Sequence, residues 1–211
     1  MKYLLLIIVA FFLISCSKST FKPEWTKKTA PPTYTARFET SKGNFDIEVN
    51  RAWSPKAADR LHQLLTHHFY DNTLFYRVVP NFVVQFGNID TTTTKKWEKF
   101  KVDDEPVLKS NLKGYVSFAR AGKETRGNDL FINLKDNVRL DTVSPEGVRG
   151  YPVLGYVTNG MNVVEKFYSE YGNKTMDVYD SLSANRKKYL SLFPKLDSIK
   201  KAYILKETKD Y

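Results

Sequence analysis

Residues 75–87 read Phe75-Tyr76-Arg77-Val78-Val79-Pro80-Asn81-Phe82-Val83-Val84-Gln85-Phe86-Gly87. One arginine stands among large apolar groups, and an amide side chain follows in the same run. Arg77, Val83 and Gln85 are separated by even numbers of residues. On extended chain they therefore share a face, provided that the Pro80-Asn81 turn keeps the register. A guanidinium on an apolar wall suits a ligand that is mostly hydrophobic and offers one polar atom for recognition. The same pattern also fits a buried strand whose arginine snorkels to its edge.

Working outward, Tyr34 to Thr40 alternates enough for a strand, Ser41-Lys42-Gly43-Asn44 makes a turn, and Phe45 to Val49 alternates apolar and acidic as a half-buried strand does. Ser54-Pro55 gives a helix start, a capping hydroxyl followed by proline at the first helical position. Leu61, Leu64, Leu65 and Phe69 then follow at helical spacing. Further short strands are expected at Phe75–Val79, Phe82–Phe86, Tyr115–Ala119, Leu130–Asn133 and Val153–Tyr156, with a closing strand in Ser198–Lys206. Gly160–Tyr168 reads as a second helix. Many short strands with two helices argue for a mainly β fold, a closed barrel with helices on its ends.

The run from Phe75 to Gly87 resembles the arginine-bearing signature of the cyclophilins, the peptidyl-prolyl isomerases of the cyclosporin-binding class. Gly114-Tyr-Val-Ser-Phe-Ala-Arg-Ala121 followed by Asn128-Asp-Leu-Phe-Ile-Asn133 resembles the next block of that family, in order and at the expected distance. The resemblance spans Tyr34 to Tyr168 and resumes near Ile199–Ile204. It implies an eight-stranded barrel capped by two helices and peptidyl-prolyl cis-trans isomerase chemistry, which needs no cofactor and no metal. It also implies catalytic roles for Arg77 and Gln85. Phe82, Val83, Phe131 and Leu140 would form a proline pocket, with Ala119, Asp129 and Tyr151 along the substrate groove. Departures from the pattern are Tyr76 at a usual histidine, Arg120 at a groove asparagine, Asp129 at a glutamine and Arg139 at a tryptophan. Ionised Asp129 can only accept hydrogen bonds, where glutamine also donates. A non-catalytic module that binds proline-containing peptides in the same groove is therefore the alternative reading.

In place of a short link to the closing strand, residues 169–197 form an atypical insertion. Tyr179, Leu182, Tyr189, Leu190, Leu192 and Phe193 suggest an added helix packed on the barrel. Asn173-Lys174-Thr175 fits a glycosylation acceptor, a pattern without weight if the chain is bacterial, as its N-terminal residues imply.

Lys2 and the apolar run Leu4–Ile14 read as an export signal, too short for a good membrane span. Leu13-Ile14-Ser15-Cys16 resembles the bacterial lipobox, so residues 1–15 are expected to be removed and Cys16, the one cysteine of the chain, acylated. No disulfide is then available, and the fold rests on core packing. Residues 16–32 read as a flexible tether, at most about 50–60 Å long when fully extended, leading into a domain over residues 33–211. The formal net charge is +10, from 33 Lys and Arg against 23 Asp and Glu. Those charges are interspersed, which argues for a solvated basic surface rather than nucleic-acid binding. His62, His67 and His68 do not converge as ligands and read as a solvated helix face. The expectation is a monomeric folding catalyst for proline-containing exported polypeptides. It would be held in the cell envelope by its lipid, at the periplasmic face of the outer membrane.

Overall fold

The computed structural model describes residues 21–87, 91–144, 147–179 and 185–208. Eight antiparallel strands are found: β1 Thr33–Thr40, β2 Gly43–Asn50, β3 Thr73–Val79, β4 Val83–Gly87, β5 Tyr115–Phe118, β6 Leu130–Asn133, β7 Val153–Asn159 and β8 Ser198–Glu207. They close into a barrel in the order β1-β2-β7-β5-β6-β4-β3-β8. Closure leaves no unpaired edge, and β8, the last strand in sequence, completes it by pairing with both β1 and β3.

Strand alternation decides which side chains fill the barrel. Phe38, Phe45, Phe75, Phe86 and Phe118 are completely buried in one interior cluster. Phe38 stacks on Phe45 with ring centres 4.9 Å apart. Helix α1, Pro55–Thr66, closes one end with Ala57, Ala58, Leu61, Leu64 and Leu65 buried. The expected Ser54 hydroxyl cap is absent. The Glu105 carboxylate instead accepts from Lys56 N at 2.7 Å and Ala57 N at 3.2 Å, and Ser54 Oγ donates to it. A full negative charge satisfies two orphan amides and complements the helix dipole, which a neutral hydroxyl does less well. Helix α2, Thr91–Glu98, lies in a threonine-rich run, and α3 covers only Met161–Val164 of the helix expected to reach Tyr168. Beyond α3 the chain tightens through hydrogen bonds from Lys166 N to Val163 O and Phe167 N to Val164 O. This turn delivers Phe167 onto Phe75, 3.8 Å between ring centres.

Two segments depart from the sequence expectation. Residues 21–32, expected within the flexible tether, lie against α1 and α2. The Trp25 ring stacks on His67 at 3.6 Å, Phe21 meets Trp97 at 5.1 Å, and Gln63 Nε2 donates to Thr26 O and Lys28 O. Two large aromatics bury too much apolar surface to remain in solvent. Consequently His67 is not on a solvated face, and His62, 16% exposed, pairs with Glu207. The second segment is the insertion. A helix, α4 Arg186–Leu192, does form in it, and Tyr189, Tyr179, Leu190 and Phe193 pack with Leu74 and Tyr76 of β3. Leu192, expected among them, is exposed, and Leu182 lies outside the described residues.

Candidate active site

The hairpin from β3 to β4 keeps the register that the sequence required. Asn81, with φ of 56°, turns the chain, Phe82 N donates to Val79 O at 3.1 Å, and Arg77 faces Gln85 directly. Gln85 in turn faces Phe131 on β6, and Phe131 faces Ser117 on β5. Arg77, Gln85 and Phe131 therefore form a row across three strands on the outer face of the barrel. A register irregularity between Leu74 and Arg77 has a specific effect. Phe75 and Val78 both enter the interior cluster, while Tyr76 belongs to the outer cluster beneath the insertion and Arg77 to the pocket. Strict alternation would have sent the adjacent Tyr76 and Arg77 to opposite faces; a bulge re-aims one of them.

The row forms one wall of a cavity of about 240 Å³, lined by Arg77, Phe82, Val83, Gln85, Ala119, Arg120, Phe131, Leu140, Tyr151 and Met176. Val83, Phe131 and Leu140 make a small apolar cluster of their own, with Phe82, Ala119 and Tyr151 against it. Tyr151 meets Phe131 edge-on at 5.6 Å. Arg77 Nη1 donates to Gln85 Oε1 at 3.0 Å and Nε to Asn173 Oδ1 at 2.7 Å. Both partners are neutral amides, so the guanidinium is oriented without its charge being cancelled. Among the described residues no hydrogen-bond partner is found for Nη2. Burial lowers the Arg77 pKa from its ordinary value, against smaller opposing effects of Tyr76 and Tyr151, and the group stays protonated at neutral pH. The Arg77 and Arg139 guanidiniums lie 5.5 and 5.1 Å from the Phe82 ring centre.

A polar network behind the pocket fixes its loops. Asn137 Nδ2 donates to Phe82 O and Asn133 Oδ1, both at 2.9 Å, while Asn111 Nδ2 donates to Asp141 Oδ1 and Tyr151 O. Leu140 O accepts from Tyr151 N at 2.9 Å, tying two lining residues together. Buried amides linked in this way hold backbone that has no strand partner. Arg120 has a similar part. Its guanidinium donates to Val148 O and Gly150 O, pairs with Asp104 at 3.2 Å and lies over Tyr151. It therefore supports the wall that carries Tyr151.

Of the residues singled out in the sequence, Arg77, Gln85, Phe82, Val83, Ala119, Phe131, Leu140 and Tyr151 meet around this cavity. Asp129 does not. Its carboxylate accepts from Tyr179 Oη at 3.3 Å and packs on Gly87, where an added Cβ would lie 1.5 Å from Oδ1. Burial pushes its pKa up to about 7, against the opposing hydroxyls of Tyr179 and Tyr76. Asn173 and Met176 are the site residues that sequence reasoning missed. Cys16 lies outside the described residues.

Residues 35–182 match the family described as cyclophilin type peptidyl-prolyl cis-trans isomerase/CLD. Among curated relatives, peptidyl-prolyl cis-trans isomerase A of Dickeya dadantii is 31% identical over 163 residues, covering 75% of this chain and 82% of that protein. Peptidyl-prolyl cis-trans isomerase-like 1 of Aspergillus niger is 33% identical over 135 residues, covering 61% of this chain and 78% of that one. A crystal structure of a Cryptosporidium parvum cyclophilin type peptidyl-prolyl cis-trans isomerase aligns with a TM-score of 0.60 at 23% identity, covering 83% of this chain and 99% of that one. At that identity the likeness shows the barrel fold.

Proposed function

Because the chain belongs to the cyclophilin-type peptidyl-prolyl cis-trans isomerase family, we propose that it accelerates rotation about X-Pro bonds in the cavity beside Arg77. The observation that carries this reading is the alignment of Arg77, Gln85 and Phe131 across β3, β4 and β6 over an apolar pocket. Rotation about the peptide bond has a barrier of about 20 kcal/mol, because the nitrogen lone pair is conjugated with the carbonyl. Conjugation is lost in the twisted state and the nitrogen becomes a hydrogen-bond acceptor. A donor aimed there stabilises the transition state more than the ground state. Val83, Phe131 and Leu140 take the proline ring, Gln85 fixes one arm of the guanidinium, and Nη2 donates to the twisting nitrogen. No nucleophile, proton transfer or cofactor enters this mechanism.

The chain is further read as a bacterial lipoprotein, anchored through acylated Cys16 and serving exported polypeptides in the periplasm. Support comes from the Lys2 start, the Leu4–Ile14 apolar run and the Ser15-Cys16 junction. Two-dimensional exchange NMR on Ala-Pro and Leu-Pro peptides with the soluble domain tests the catalytic reading. Exchange cross-peaks should grow at substoichiometric enzyme. Peptide binding with no acceleration at stoichiometric amounts would instead establish a non-catalytic proline-peptide module.

A further inference from the structure

The insertion reaches into the pocket at Met176, which lies between two anchors. On one side, Asn173 holds Arg77 Nε at 2.7 Å and Gly172 bridges antiparallel to Val78 of β3. On the other, Tyr179 Oη donates to Asp129 at 3.3 Å, and the Tyr179 ring lies 4.9 Å from that of Tyr76. Beneath them Leu74, Tyr76 and Tyr189 form a buried cluster that fixes the segment to β3. Met176 begins a single 3-10 turn, Met176–Val178, and lines the cavity with Arg77, Phe82 and Gln85. Every other lining residue comes from the chain between β3 and Tyr151. Met176 keeps 37% of its surface exposed and lines this cavity, so it has apolar area to offer a ligand there. An unbranched thioether adapts to the shape of what it meets.

We propose that Met176 is a specificity-determining residue. It contacts the side chain flanking the substrate proline and favours a large apolar residue there over glycine. This rests on the isomerase reading but is tested by ratios between substrates rather than by absolute turnover. The measurement is kcat/KM by exchange NMR, together with Kd from chemical-shift titration, on proline peptides with Gly, Ala, Leu or Phe on either side of the proline. Met176→Ala should lower kcat/KM for the Leu- and Phe-flanked peptides about threefold to tenfold, the effect of one or two methylene groups. The glycine-flanked peptide should be nearly unaffected, and Met176→Leu should restore most of the discrimination. A melting curve measured beside the kinetics separates loss of contact from loss of fold, since a fold defect would lower the rate for every peptide alike. An equal loss across the panel, or none, overturns the proposal. If the wild-type protein accelerates no peptide, the isomerase reading falls by itself. The Kd ratios then decide the role of Met176, and ratios unaltered by Met176→Ala overturn it.

Discussion

Arg77, the proposed donor to the twisting nitrogen, shows how much of a side chain's chemistry lies in its surroundings. Gln85 and Asn173 orient it with neutral dipoles, so the positive charge is kept for whatever enters the pocket. A carboxylate at either position would hold the fork as firmly while cancelling its field. One charge-assisted hydrogen bond contributes about 1.5–3 kcal/mol, so Arg77→Ala should reduce kcat/KM on the order of tenfold to a hundredfold without unfolding the domain. Arg77→Lys, which keeps the charge and loses the planar fork, should recover only part of the rate. Peptide Kd should change less than the rate, because the bond strengthens mainly in the twisted state. Undiminished turnover in a stable Arg77→Ala protein would remove the residue from the mechanism. Gln85 was legible on the same face from parity along one hairpin, and as its partner from the family resemblance. Asn173 was not, because it comes from a turn 96 residues away in sequence, within a segment that has no strand pattern of its own.

At the scale of elements, the insertion and β6 are joined by a titratable contact. Asp129 packs against Gly87 and accepts from Tyr179, and desolvation of its carboxylate pushes its pKa up to about 7. An exposed aspartate titrates near 3.9. Between about pH 4 and pH 7 the folded protein therefore holds this proton more tightly than the unfolded chain does. The stability contributed is complete below about pH 4 and is lost as the pH rises to about 7. Denaturant midpoints should accordingly be higher at pH 5.5 than at pH 7.5, with a slope from this group of at most about 1.4 kcal/mol per pH unit. Asp129→Asn should flatten that slope and stabilise the protein at pH 7.5. A slope unchanged by the substitution would show that other groups set it. Alternation marked β1 and β2, since a strand with one buried face records its burial residue by residue. The fully buried β4 and β6 carry no alternation and were legible as short apolar runs within the family resemblance. Elements held by distant contacts left no such record. Helix α2 begins with four threonines, poor helix formers. The cap of α1 is supplied by Glu105, outside any local capping motif. The bulge that brings Tyr76 and Arg77 to one face depends on pairing with β4, which no single-strand pattern reveals.

For the whole molecule, the closed barrel and its aromatic interior stand without any disulfide among the described residues, as a chain with a single cysteine requires. The lipoprotein reading makes that cysteine the anchor. Cys16→Ser should therefore block processing and acylation, abolish labelling by a palmitate analogue and leave residues 1–15 attached. An unlabelled wild-type protein that retains Met1 would overturn it. The docking of residues 21–32 through Phe21 and Trp25 changes what such an anchor means. Counted along the chain, Cys16 and Phe21 can then lie at most about 17 Å apart. An isomerase held that closely could not sweep the surrounding volume. It would work as an interfacial enzyme, with a rate set by how many copies share an area of membrane and by how many clients pass along that surface.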